Sequence, residues 1–163
     1  MMKIKLVDHL LYTLVDDEDY PVLSRYDWYL LKTKVGNRYA HTKIDDNWVY
    51  MHQMVLPSPS VDLTPDHKDG DGLNNQKENL RLATKSQQGF NSKKRKNTSS
   101  TYRGVSWSER DKCWRAQIMV NHKYIHLGTF QSEISAAKAY NRAAKEYCGE
   151  FAVLNVIPII KVS

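Results

Sequence analysis

Cysteine is scarce: Cys113 and Cys148 are the only two in 163 residues. Two cysteines cannot build a disulfide framework, and neither has a second Cys at zinc-ligand spacing. No disulfide partner is expected, and a reducing cytoplasm is the expected setting. Long apolar runs are missing as well. The longest, such as Val156-Ile157-Pro158-Ile159-Ile160, fall far short of the roughly 18 residues of a membrane span, and no apolar h-region follows Met1-Met2-Lys3-Ile4-Lys5. No membrane role is expected. Heptads are lacking too, so a monomer is the default. The chain is short of acid: 18 Asp plus Glu stand against 24 Lys plus Arg, a formal net charge of +6. That balance invites an anionic partner. The length allows one ordinary domain or two small ones and excludes a large multidomain enzyme, and the 41% hydrophobic content is that of a folded protein.

The charge is unevenly placed. Residues 1–60 carry seven basic and eight acidic groups, residues 61–99 eight and five, and residues 100–163 nine and five. The excess therefore lies in the last two thirds. Its densest stretch, Ser92-Lys93-Lys94-Arg95-Lys96-Asn97-Thr98-Ser99-Ser100-Thr101, has nothing apolar to bury and reads as a linker. Lys93, Lys94, Arg95 and Lys96 can line a phosphate backbone or simply solvate a hinge.

Ahead of that linker, Met2 to Val15 and Tyr39 to Leu56 are rich in β-formers. The second zone reads as two strands, Ala40 to Ile44 and Trp48 to Met54, around an Asp45-Asp46-Asn47 turn. Asp19 can cap a short helix with Pro21 in its first turn, running to about Tyr26. His52 is either a buried strand residue or a phosphate contact and stays outside the catalytic set.

After the linker the pattern is cleaner. Trp114, Ala116, Ile118 and Val120 alternate with Arg115, Gln117 and Met119, Asn121-His122 makes a turn, and Lys123 to Leu127 resumes the alternation. Ser132 caps a helix ended by Gly149 in the αL conformation, and Ala136, Tyr140, Ala143 and Tyr147 form its stripe against the hairpin. The other sheet face carries Arg115, Gln117, Tyr124 and His126, with Arg103, Trp107 and Arg110 nearby. A solvated face explains any one of these. Together, guanidinium, amide and aromatic groups on a twisted ribbon can enter a major groove. Residues 101 to 155 resemble the Apetala2/ethylene-response-factor DNA-binding domain. The resemblance rests on Tyr102-Arg103-Gly104-Val105, Trp114, Leu127-Gly128-Thr129-Phe130, Ala136-Ala137, Tyr140, Ala143-Ala144, Gly149 and Asn155. It implies three antiparallel strands on one helix and DNA contacts from Arg103, Ser106, Trp107, Arg115, Gln117, Tyr124, His126 and Thr129. Ser106, Tyr124 and His126 stand where plant domains often carry Arg, Arg and Trp, so the plant target sequence does not transfer.

Between the two zones, Asp66-His67-Lys68-Asp69-Gly70-Asp71-Gly72-Leu73-Asn74-Asn75-Gln76-Lys77-Glu78-Asn79-Leu80-Arg81-Leu82-Ala83-Thr84 is dense in turn formers. It lacks the spacing of a calcium loop. Phosphodiester cleavage needs a base for water and a cation for the developing charge. A His beside a carboxylate supplies the first and can hold the second. A strand Leu80 to Ala83 follows, then a helix from about Lys85 to Ser92, on which Gln88 and Asn91 share a face. The segment resembles the HNH endonucleases and their ββα-metal fold. The resemblance implies Asp66 as metal ligand, His67 as general base, Asn79 as the residue that fixes the loop, and Gln88 or Asn91 as the second ligand of one Mg²⁺ or Mn²⁺ ion. HNH homing nucleases of phages often carry such a C-terminal DNA-binding module.

The expected class is α+β: an HNH domain over 1–92, a basic linker over 93–100 and an Apetala2-type domain over 101–157. The expected function is metal-dependent hydrolysis of double-stranded DNA, by nicking or double-strand cleavage, in a phage-infected or bacterial cytoplasm. A DNA-binding protein with a decayed HNH domain is the alternative.

Overall fold

The computed structural model describes residues 1–7, 9–91, 98–121 and 123–158, residue 91 by its backbone alone. The four cations at 93–96 therefore lie outside the described residues. The chain forms two compact units, Met1–Lys85 and Ser86–Ser163, and it is mixed α+β throughout. Among the described residues no helix is long and apolar enough to cross a membrane.

In the first unit, β1 (Met2–Lys5) and β2 (Tyr12–Val15) form an antiparallel hairpin. The short α1 (Tyr20–Leu23) has Pro21 in its first turn, but the Asp19 side chain makes no cap bond. Its carboxylate is paired instead with Lys77 at 3.2 Å. The helix stops before Tyr26, and Trp28 Nε1 donates to the carbonyl of Leu23 at 2.7 Å, taking one of the acceptors at the helix end. A second sheet orders β3 (Tyr29–Lys32), β4 (Arg38–Ile44) and β5 (Asn47–Tyr50) side by side. The turn is the two residues Asp45 and Asp46, both at positive φ, and Asn47 already pairs with Ile44.

The strand expected over Trp48 to Met54 ends at Tyr50, because α2 (Met51–Val55) begins there. Gln53 Oε1 accepts from the Tyr50 amide and favours the helical turn. Next come β6 (Leu63–His67), a twelve-residue loop that includes a 3-10 turn at Lys77–Asn79, β7 (Leu80–Thr84) and α3 (Lys85–Asn91), in ββα order. Trp28, Met51, Leu6 and Val15 fill the core, and Leu73 and Leu80 tie the loop and β7 to it.

In the second unit, β8 (Val105–Ser108), β9 (Cys113–Val120) and β10 (Lys123–Phe130) form an antiparallel sheet of order β10-β9-β8. The sheet is backed by α4 (Glu133–Cys148), which Ser132 caps through the Ser135 amide. The buried stripe of α4 is Ala136, Ala137, Ala139, Tyr140, Ala143, Ala144 and Cys148. Tyr147, expected in that stripe, is 44% exposed, and Cys148 takes the buried place. The small residues let helix and sheet approach closely. Gly149 ends the helix at φ 52, ψ −126, a positive-φ conformation outside the expected αL region. Asn155 then clamps the chain end to the sheet: its Oδ1 accepts from the Arg103 amide at 2.7 Å and its Nδ2 donates to the Arg103 carbonyl at 3.1 Å.

Candidate active site and nucleic-acid interface

Asp66 and His67 are the last residues of β6. The register sets Asp66 opposite Arg81 and His67 opposite Leu80, so the core contact of Leu80 holds the end of the strand in place. Arg81 donates to Asp66 Oδ2 from Nε at 3.2 Å and from Nη2 at 3.1 Å, in a pair that is largely buried.

The loop between the strands is braced by its own polar side chains. Asn79 Oδ1 accepts from the Asp69 amide, and its Nδ2 donates to Asp69 Oδ1 and to the Asn74 carbonyl. Asp69 also accepts from the Asp71 amide and from Asn74 Nδ2. Those hydrogen bonds outweigh the cost of partial burial and lower the Asp69 pKa, although burial is the largest single influence and opposes them. Gly72 passes so near β4 that a Cβ there would stand 2.1 Å from the Arg38 carbonyl oxygen, a contact that only glycine permits.

A second set of anchors comes from the distant β2 region. The Leu14 amide donates to the Leu73 carbonyl and the Asn75 amide to the Leu14 carbonyl, each at 2.8 Å, so the loop extends along β2. Asp16 receives the Lys77 amide at 2.7 Å and Gln76 Nε2 at 3.1 Å, bonds that lower its pKa, the Lys77 amide first. Thr13, Asp16 and Asn75 were not picked out by sequence reasoning. The available signal was a Thr in the buried phase of an otherwise apolar strand.

His67 is 6% exposed, and its Nε2 lies 3.1 Å from Oδ1 of the fully buried Asn75. Burial is the main cause that lowers its pKa; the Asn75 bond and the charges of Asp69, Asp66 and Asp71 oppose the shift. The ring is therefore neutral at neutral pH, the form that can accept a proton. His52 packs edge-on against it at 5.1 Å between centroids and stacks on Tyr50 at 5.2 Å. Burial, reinforced by the nearby His67, takes the pKa of His52 down to about 3. His52 thus sits on α2 beside the candidate base, and its Nδ1 has no hydrogen-bond partner among the described residues. Tyr39 joins both rings, at 5.7 Å from His52 and 6.1 Å from His67.

Gln88 lies on α3, whose residues from Ser86 onward belong to the second unit, and the side chain of Asn91 is outside the described residues. Among the described residues no three of His, Cys, Asp and Glu cluster as a ready metal cage.

On the second unit's sheet, register groups the predicted contact residues into rows. Ser106, Arg115 and Thr129 align across the three strands, Gln117 faces His126, and Met119 faces Tyr124. Thr129 reaches this face because a bulge between His126 and Gly128 shifts the alternation by one, with Gly128 at φ 125. The same shift turns Phe130 toward the core, where Leu127 also packs. Trp107 pairs with Trp114, on the apolar side, and their rings meet edge to face at 5.2 Å. Arg103 Nη1 donates to the Phe90 carbonyl at 3.4 Å. Arg110 and Arg115 both bind Asp111, which also accepts from Ser108, and these partners lower its pKa, Ser108 first.

Comparison with known proteins fits both halves. The family model described as HNH endonuclease matches residues 53–90, and that described as AP2 domain matches residues 100–150. The uncharacterized HNH endonuclease L560 of Acanthamoeba polyphaga mimivirus is 34% identical over 147 residues, covering 90% of this chain and 75% of that protein. Protein 3.8 of Escherichia phage T7 is 32% identical over 87 residues, 53% of this chain and 71% of that protein. APETALA2-like protein 2 of Oryza sativa subsp. japonica is 42% identical over 62 residues, 37% of this chain but 14% of that protein. By its similarity along nearly the whole chain, the protein belongs to the HNH endonuclease family, and it carries an AP2 domain after its HNH segment.

Proposed function

We propose that the protein is a DNA endonuclease that hydrolyses phosphodiester bonds in duplex DNA, with residues 1–92 as nuclease domain, 93–100 as basic linker and 101–157 as DNA-binding domain. The observation that carries this reading is His67: a neutral, buried imidazole at the end of β6, beside a carboxylate and oriented by hydrogen bonding. His67 takes a proton from the attacking water as it approaches the scissile phosphorus. Asn79 acts as a positioning residue, because its three bonds hold the loop that follows His67.

The donor set suits a hard divalent ion. Mg²⁺ and Mn²⁺ need few protein ligands, and one carboxylate with one amide oxygen leaves room for water and phosphate oxygens. Asp66 and Gln88 would hold the ion, with Asn91 as the other candidate on the same helix. When bound, the ion neutralises charge on the phosphate and its leaving oxygen. Arg81 already holds Asp66 Oδ2, and so fixes the orientation of the carboxylate.

The sheet row Ser106, Arg115 and Thr129, with Gln117, Tyr124 and His126, supports binding in a major groove, aided by Lys93, Lys94, Arg95 and Lys96 along the backbone. Arg103, Trp107 and Arg110 lie near that row and complete the proposed set of DNA contacts. The phage and mimivirus relatives favour action in a host cytoplasm, and the lack of heptads keeps a monomer as the default. Incubation with supercoiled plasmid and Mg²⁺ or Mn²⁺ tests the reading: nicked or linear product is expected, none with EDTA. His67→Ala should lower the rate roughly 10²- to 10⁴-fold with DNA affinity held within a few fold. Full DNA affinity without cleavage under any divalent ion would instead support the decayed-nuclease reading, which the Gln at position 88 favours.

A further inference from the structure

We propose that Thr13 and Asn75 form a buried relay that fixes the tautomer of His67, placing its proton on Nε2 and its reactive lone pair on Nδ1. The proposal deepens the nuclease reading above. Asn75 is a positioning residue within it, and Thr13, some sixty residues away in sequence, is the group that orients Asn75.

The chain of bonds can be followed from its one unambiguous end. The Leu73 carbonyl can only accept, and Thr13 Oγ1 lies 2.8 Å from it, so the hydroxyl proton of Thr13 is donated there. A hydroxyl has one proton. The contact from Thr13 Oγ1 to Met51 Sδ, at 3.5 Å to a weak acceptor, does not compete for it. With its proton committed, Thr13 Oγ1 can only accept from the amide of Asn75, 2.8 Å away, so that amide atom is Nδ2. The reversed amide would set two oxygen lone pairs against each other in a fully buried site. Asn75 Oδ1 must then face His67, and an oxygen acceptor at 3.1 Å requires Nε2 to carry a hydrogen. In a neutral imidazole the other nitrogen, Nδ1, then carries the lone pair. Proton uptake at Nδ1 leaves the Nε2–H···Oδ1 bond intact and turns it into the stronger, charge-assisted kind. The relay therefore suits both the resting base and the imidazolium it becomes.

The test reads the tautomer directly. Long-range ¹H–¹⁵N correlation spectra of the full-length, metal-free protein at alkaline pH report which ring nitrogen of each histidine is protonated, and His67→Asn identifies the His67 signals. Nε2–H is expected for His67, and a dominant Nδ1–H form in the unmodified protein would overturn the proposal. Thr13→Val keeps the shape and removes the acceptor, while the Leu73 carbonyl keeps its bond from the Leu14 amide. In that variant the ratio of Nδ1–H to Nε2–H should rise roughly tenfold, and plasmid nicking should slow by a similar factor at saturating DNA with unchanged DNA affinity. Thr13→Ser should restore both. An unchanged tautomer ratio in Thr13→Val would also overturn it. Should Thr13→Val fail to fold, the unmodified protein and Thr13→Ser decide the matter, since both must show Nε2–H. A protein that shows the expected tautomers but never nicks DNA would sink the nuclease reading and leave the relay standing.

Discussion

Replacing His52 with Gln should flatten the pH dependence of the first unit's stability. His52 has its pKa lowered from 6.5 to about 3 by burial and by His67. The unfolded chain therefore binds a proton that the folded chain refuses. Stability is fully present above about pH 6.5 and is lost as pH falls toward 3. At about 1.4 kcal/mol per pH unit, this one ring removes about 2 kcal/mol between pH 7 and pH 5 and on the order of 4–5 kcal/mol by pH 3. Against a usual total of about 5–15 kcal/mol, that is enough to decide where acid unfolding begins. Carboxylates scarcely titrate between pH 7 and 5, so histidines dominate that window, and His41 and His67 are shifted in the same direction. The variant isolates the contribution of His52. Urea unfolding at pH 7 and pH 5, followed by amide NMR intensities of residues 1–85, excludes the second unit's transition from the measurement. The parent protein should lose about 2 kcal/mol more than His52→Gln on going from pH 7 to pH 5. Equal losses would show that His52 is solvated, and the reasoning about burial would fall with it.

The other expectations concern the loop, the second ligand and the sheet. Gly72→Ala drives a methyl into the Arg38 carbonyl and the Tyr39 ring and should destabilise the first unit by roughly 1–3 kcal/mol, read from its urea midpoint; an unchanged midpoint would mean the loop does not approach β4. Gln88→Ala should raise the Mg²⁺ concentration needed for half-maximal nicking by at least roughly tenfold, whereas an unaltered metal titration would remove Gln88 from the ligand set. Arg115→Ala should weaken DNA binding and reduce its salt slope by about one. Asp111→Asn, which frees Arg110 and Arg115 from a shared carboxylate, should tighten binding at low salt; filter binding at two salt concentrations checks both, and no change in either variant would count against the Arg115 face.

Period-two patterning made β9 and β10 legible, because one side of each strand packs on α4 and the other does not. The bulge at Leu127 and Gly128 was not legible. Without it Thr129 would face the helix, and the row with Ser106 and Arg115 would be broken. In the first unit, Trp48 to Met54 contains no breaker, so the switch from strand to helix at Met51 depends on the Gln53 contact and on the burial of Met51 and Val55. β3, the four residues Tyr29–Lys32, is held by its pairing with β4 and carries no pattern long enough to read. The loop that carries the candidate site was legible through its resemblance to the HNH segment. Its supports were not, because Thr13, Leu14 and Asp16 reach Leu73, Asn75 and Lys77 across about sixty residues.

Those distant supports explain how a short hairpin can hold a base in one orientation. Two paired five-residue strands with a polar loop are marginal by themselves in water, and the loop's internal Asx bonds fix its shape without fixing the ring of His67. The ring is set from the other side, by β2 through Asn75. Orientation of the candidate base therefore depends on folding of the whole first unit, and an unfolded nuclease segment cannot present it. The charge distribution divides the work in the same way. Residues 1–60 are close to neutral while residues 100–163 are basic, and affinity for DNA scales with phosphates neutralised. On the proposed reading, binding strength would come chiefly from the basic linker and the AP2 domain. On that same reading, the nuclease domain would contribute an oriented base and little of the grip.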